Sequence, residues 1–186
     1  MDREKLLVLI RDKAYEKRDV TLSSGKKSNF YIDCRQVTLH HEGAYLVGSL
    51  IYEMLISGPD GISAVGGLTL GADPIVSSVA VISHMKGNPM SAFIIRKEVK
   101  AHGTVAPIEG TKNLEAGMPV AILEDVVTTG GSTLKAIDAA EKNGLVVKRV
   151  IAIVDRSEGG KEAVKGAGYH LESLFVKEEI ENNLPG

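Results

Sequence analysis

The sequence predicts an α/β fold: a mostly parallel sheet flanked by helices, with a small N-terminal cap. Three observations point there. From about residue 62 onward, short apolar runs rich in Val and Ile alternate with stretches of helical spacing. Strands that alternate with helices build a parallel, helix-covered sheet. Before residue 41 a helix and two short strand-like runs break that rhythm, which predicts an appendage to the same domain. The length of 186 residues suits one domain, with residues 1–40 as the cap, or hood, and residues 41–170 as the α/β core.

The elements follow in order. Leu6, Leu7, Ile10 and Ala14, with charges between them, predict an amphipathic helix over 3–17. Residues 20–22 and 30–33 read as strands joined by the polar turn 23–28. Ala44, Val47, Ile51 and Leu55 place a helix over 43–56, ended by Gly58-Pro59. A strand at 62–65 leads through Gly66-Gly67-Leu68-Thr69-Leu70-Gly71 into a helix at 73–84. The strand 90–96 is followed by a polar stretch, 97–117, long for a connection within a sheet and therefore suited to a lid. A strand at 120–123 enters the helix 132–142 through Thr128-Thr129-Gly130-Gly131. The strand 146–154, a short helix near 161–165 and a final strand over 169–176 complete the chain.

Composition excludes several function classes. Hydrophobic residues make up 44% and charged residues 25%, the balance of a folded globular protein. Apolar runs such as 150–154 are far too short to span a bilayer, and the charged start Asp2-Arg3-Glu4-Lys5 is unlike a secretory signal. A net charge of −2 argues against a nucleic-acid-binding face. The single cysteine, Cys34, has no internal disulfide partner, and a cytoplasmic location is expected.

The strongest chemical signal is the run from Val120 to Thr133. An apolar strand ends in Glu124-Asp125, and a loop of small and hydroxylated residues, Val126-Val127-Thr128-Thr129-Gly130-Gly131-Ser132, then opens a helix. A helix N-terminus presents unpaired N–H groups and a partial positive charge, which together hold a phosphate. Ionised carboxylates only accept hydrogen bonds, so the acidic pair suits a diol. A phosphate binder and a diol binder a few residues apart describe a ribose 5-phosphate. Taken alone, Thr-Gly-Gly-Ser before a helix is more often a plain loop and cap. The run lacks the Gly-Lys-Ser/Thr of a nucleotide P-loop and the Gly-x-Gly-x-x-Gly of a dinucleotide fold. A second signal, Arg96-Lys97-Glu98-Val99-Lys100-Ala101-His102-Gly103, sets four cationic or titratable side chains on the lid-like stretch. Arg binds phosphate with two donors, Lys is a point charge, and His titrates near neutrality, a set suited to a pyrophosphate leaving group.

The first run resembles the signature for phosphoribosyl pyrophosphate (PRPP) of type I phosphoribosyltransferases. The second resembles the Arg-Lys-x-x-Lys-x-His-Gly loop of orotate phosphoribosyltransferases at every fixed position, and residues 22–33 are similar to that family's base-covering hairpin. The resemblance implies a transfer of the 5-phosphoribosyl group from PRPP to orotate, assisted by Mg²⁺. It implies that Glu124 and Asp125 face the ribose hydroxyls and that Val126, Val127, Thr128, Thr129, Gly130, Gly131 and Ser132 surround the 5-phosphate. Arg96, Lys97, Lys100 and His102 would close over pyrophosphate, Lys100 and His102 assisting its departure, while Thr128 and Arg156 orient orotate. No residue is expected to ligate the metal directly. The family's loop reaches into the neighbouring subunit's site, which implies a homodimer. Two basic contacts common in bacterial relatives are missing, at Ser23 and in the Leu68-Thr69-Leu70-Gly71 loop. Rival readings are a purine phosphoribosyltransferase, which should lack the basic loop, and a PRPP-sensing regulator, which should carry a nucleic-acid-binding face.

Overall fold

The computed structural model describes residues 2–21, 27–97 and 108–182, with only the backbone of Val20, Thr21, Lys27 and Ser28. Ser23, Lys100 and His102 lie outside the described residues.

Helix α1 (Asp2–Lys13) buries Leu6 and Ile10. It is shorter than the spacing predicts. The Asp33 N–H donates to the Ala14 carbonyl at 2.9 Å, and from Tyr15 the chain runs as strand β1 (Tyr15–Thr21), antiparallel to β2 (Lys27–Ile32). The Tyr15 and Phe30 rings pack 5.0 Å apart, so the side chains read as helical close the hairpin instead. A short helix α2 (Arg35–Thr38), unexpected from the sequence, leads into α3 (His41–Ser57).

The second sheet contains β3 (Ala64–Leu68), β4 (Ser91–Ile95), β5 (Ile108–Glu109), β6 (Pro119–Val127), β7 (Val146–Asp155) and β8 (Leu171–Val176). Its order is β5-β4-β3-β6-β7-β8, all neighbours parallel except β4 and β5. Helices α4 (Asp73–Met85), α5 (Gly131–Lys142), α6 (Gly160–Gly166) and α7 (Lys177–Glu181) complete it. No helix among the described residues is long and apolar enough to cross a membrane.

Both faces of the sheet are covered, which explains the continuous apolar runs. In β6, Ala121 and Leu123 join the core shared with α1, α3 and α4, while Val120 and Ile122 join the core under α5 and α6. β7 alternates likewise, with Ile151 and Ile153 on one face and Val150 and Ala152 on the other. Each fully buried Ile or Leu contributes about 1.5–3 kcal/mol.

Two strands run further than their sequences suggest. β3 continues through Gly66 and Gly67, because a Cβ at Gly66 would overlap the Phe93 ring of β4 and its absence lets the strands pair. β6 continues to Val127, held by its ladder to β7 as far as Val127↔Asp155, so the acidic pair lies within the strand. The polar stretch 97–117 includes β5 and a 3-10 turn, Thr111–Asn113.

Candidate active site

The chain steps from β3 outward to β4, and β6 returns to the other side of β3. At such a switch point the loops leaving the strand ends part and leave a crevice, the usual ligand position in an α/β sheet. Two joined cavities occupy it. One, of about 680 Å³, is lined by Arg96, Lys97, Val126, Thr128, Thr129, Gly130, Gly131 and Ser132 among others. The other, of about 320 Å³, is lined by Tyr31, Asp33, Arg35, the 68–71 loop, Lys97, Glu124 and Asp125. Leu68, Lys97, Val126 and Ser132 border both, so the two form one cleft.

The larger cavity ends on the N-terminus of α5. Gly130 precedes the helix with φ 80, a left-handed conformation that favours glycine, and the chain turns there into the first helical residue. Among the described residues no side chain caps α5. Its first-turn N–H groups therefore face the cleft, and Thr128, Thr129 and Ser132 add hydroxyls beside them.

The smaller cavity contains the carboxylates. Glu124 is 5% exposed and lies 3.5 Å from the Thr133 hydroxyl, which donates to it. Burial, reinforced by Asp125, pushes the Glu124 carboxyl up to about 8, against a weaker opposing pull from Lys97. Burial also raises Asp125, opposed by the Val126 N–H that donates to its Oδ1 at 2.8 Å. Gly71 abuts this group: a Cβ there would stand 2.6 Å from Asp125 Cγ.

Not every expected site residue faces the cleft. The Val127 side chain is 1% exposed and belongs to the core under α5, leaving only its backbone to the loop. Arg156 lines neither cavity. It is buried behind the hairpin, where Nη2 donates to the Phe30 carbonyl at 3.1 Å and pairs with Glu158 at 2.9 Å. The Arg156 N–H donates to the Val127 carbonyl, tying it to the phosphate loop. Arg96 lies at the cleft and pairs with Glu109 at 3.2 Å.

Sequence reasoning missed Arg35. Its guanidinium grips Asp33 with two bonds, Nε to Oδ1 at 2.8 Å and Nη2 to Oδ2 at 3.1 Å. These bonds hold the Asp33 carboxyl below its usual range. The available signal was the pair Asp33-x-Arg35 directly after the hairpin.

No family model matches the chain. Among curated proteins, it is 47% identical over 186 residues to an orotate phosphoribosyltransferase of Sorangium cellulosum, covering 100% of this chain and 96% of that protein. It is 50% identical over 179 residues to one from Thermosynechococcus vestitus, covering 96% and 93%. Among solved structures, orotate phosphoribosyltransferase of Mycobacterium tuberculosis in complex with 5-phospho-alpha-D-ribosyl 1-diphosphate superposes with TM-score 0.78 at 36% identity, covering 97% of this chain and 99% of that one. A cleft with a helix N-terminus at one end and a buried acidic pair at the other thus stands in a chain 47–50% identical to two curated relatives over at least 96% of its length: it belongs to the orotate phosphoribosyltransferase family, pentosyltransferases of pyrimidine biosynthesis.

Proposed function

We propose that the cleft transfers the 5-phosphoribosyl group from PRPP to orotate, giving orotidine 5-monophosphate and pyrophosphate. The supporting observation is that the free helix terminus and the acidic pair share one cleft, as a ribose 5-phosphate requires. Val126 and Val127, through their backbone, and Thr128, Thr129, Gly130, Gly131 and Ser132 surround the 5-phosphate. Glu124 and Asp125 accept hydrogen bonds from the ribose 2- and 3-hydroxyls. The bond from C1 of the ribose to the diphosphate oxygen breaks with its electron pair leaving on pyrophosphate, and the orotate nitrogen forms the new bond to C1. Orotate is already anionic, so no strong base is needed. Arg96, Lys97, Lys100 and His102 neutralise the leaving group, and Lys100 and His102 act on the departing oxygen. Thr128 and Arg156 orient the base. The hairpin of the N-terminal 1–40 hood covers it and excludes water.

A Mg²⁺ ion would be carried largely on substrate oxygens and waters, as suits a hard cation that keeps much of its hydration. Glu124 and Asp125 would hold it through those waters and the ribose hydroxyls. When bound, Mg²⁺ neutralises charge on the diphosphate.

We further propose a cytoplasmic homodimer in which the 96–103 run serves the neighbouring site. The assay is loss of orotate absorbance with purified protein, PRPP and Mg²⁺, run beside adenine, hypoxanthine, xanthine and uracil. Orotate alone should be consumed; turnover of a purine instead would assign the chain to that chemistry.

A smaller test isolates the acidic pair. Gly71→Ala must push the Asp125 carboxylate out of place, since the new Cβ would stand 2.6 Å from its Cγ. Hydrogen bonds to charged groups contribute about 1.5–3 kcal/mol, so PRPP affinity by calorimetry should fall at least about tenfold. Wild-type affinity in this variant would detach Asp125 from ribose recognition.

A further inference from the structure

The smaller cavity has an electrostatic problem. Its lining sets two ionised carboxylates, Asp33 and Asp125, and the buried, largely protonated Glu124 against two cations, Arg35 and Lys97. Fixed cations favour a diphosphate beside such a lining, in addition to the charge that Mg²⁺ would neutralise. The loop Leu68-Thr69-Leu70-Gly71 on one wall brings no cation, and its only hydroxyl, on Thr69, donates to Asp73 at 2.7 Å. That wall is left with backbone N–H groups. Lys97 approaches from the end of β4, and among the described residues Arg35 is the cation that lines the hairpin side of the cavity.

Arg35 is built for a fixed role. Asp33, which grips Nε and Nη2, is itself held by the Arg35 backbone N–H at 3.1 Å and by Gln36 Nε2 at 3.3 Å. Among the described residues Nη1 has no hydrogen-bond partner. An ion pair whose arginine is 49% exposed adds little to stability. What it does is lock the rotamer of a planar donor whose geometry matches phosphate oxygens. The positive field of Arg35 also reaches Asp125, which favours the ionised carboxylate there.

We propose that Arg35, locked by Asp33, is a fixed cationic contact to the pyrophosphate end of PRPP. Asp33 is a positioning residue that acts through it. The inference rests on the reading of this cleft as a PRPP site. Arg35 then closes the pyrophosphate subsite from the hairpin side, opposite the 68–71 loop.

Calorimetry on the full chain with three probes tests this: PRPP with Mg²⁺, pyrophosphate with Mg²⁺, and ribose 5-phosphate. Arg35→Gln should weaken PRPP and pyrophosphate by about 10- to 100-fold and leave ribose 5-phosphate within about twofold. Arg35→Lys keeps the charge but loses the fork, and should fall between wild type and Arg35→Gln. Asp33→Asn frees the guanidinium and should raise the PRPP KM several-fold with a smaller change in kcat. Equal losses for all three probes would make Arg35 only a counter-charge to Asp125 and overturn the proposal, as would unchanged pyrophosphate affinity in Arg35→Gln. Wild-type protein that binds neither PRPP nor pyrophosphate overturns the underlying reading. An active wild type with an indifferent Arg35→Gln overturns only the role of Arg35.

Discussion

Lys100→Ala should lower turnover about 10²–10³-fold, the usual cost of removing one donor from a developing oxyanion, while PRPP affinity falls less than about tenfold. As the ribose–diphosphate bond breaks, negative charge grows on the leaving oxygen, and a cation placed there stabilises the transition state more than the ground state. Arg96 and Lys97, the first members of the same basic run, already line the cleft. Steady-state kinetics and calorimetry on one preparation separate the two effects, and wild-type turnover would remove Lys100 from the mechanism. The same variant tests the shared site. Mixed with an inactive Asp125 and Thr128 double variant, random exchange in a two-fold dimer makes half the molecules hybrids, each with one intact site, and restores about a quarter of wild-type activity. Proven exchange with no gain over the parents would place the loop over its own subunit's site.

The second large effect concerns pH. Glu124 titrates near 8 in the folded chain because it is buried, against an ordinary value of 4.5. The native state therefore holds a proton that the unfolded chain has released throughout that window. Stability is fully present below about pH 4.5 and declines as pH rises through about 8. Glu124→Gln keeps an acceptor for Thr133 and abolishes the titration. The variant should gain on wild type by a few kcal/mol between pH 5 and 9, since each tenfold change in proton affinity is worth about 1.4 kcal/mol. Urea unfolding across that range measures it; a constant difference would mean that Glu124 is already ionised in the native site. If the ribose hydroxyls donate to an ionised Glu124, PRPP binding at pH 7 also expels that proton, which calorimetry in buffers of different ionisation enthalpy detects.

The apolar runs 120–123 and 150–154 read directly as buried strands because both sheet faces are covered, and 128–132 read as a phosphate loop because its chemistry is local. Other features depend on distant chain. Tyr15 falls within the predicted helix 3–17, yet its pairing with Ile32 and its packing on Phe30 draw it into a hairpin. Arg35 is an isolated charge until β2 brings it beside the end of β6. The buried state of Glu124 requires α5 to fold Thr133 back over it. Arg156 was legible as a strand-end arginine, whereas its engagement with the Phe30 carbonyl, 126 residues away, was not.

The ladder joining β3 to β6 has three register pairs, whereas β6 and β7 share eight. With the assignments proposed here, everything that grips the diphosphate from the 68–71 loop stands on the β3 side of that short seam. The 5-phosphate, the ribose hydroxyls and the acceptor base belong to the β6–β7 side, bound together by the longer ladder and by Arg156 on Val127. The anomeric carbon thus changes partners across the shortest parallel ladder in the sheet, and leaving group and acceptor are held on separate pieces of scaffold. A lineage could exchange one acceptor for another by remodelling the β7–β8 half while its hold on the leaving group stays intact.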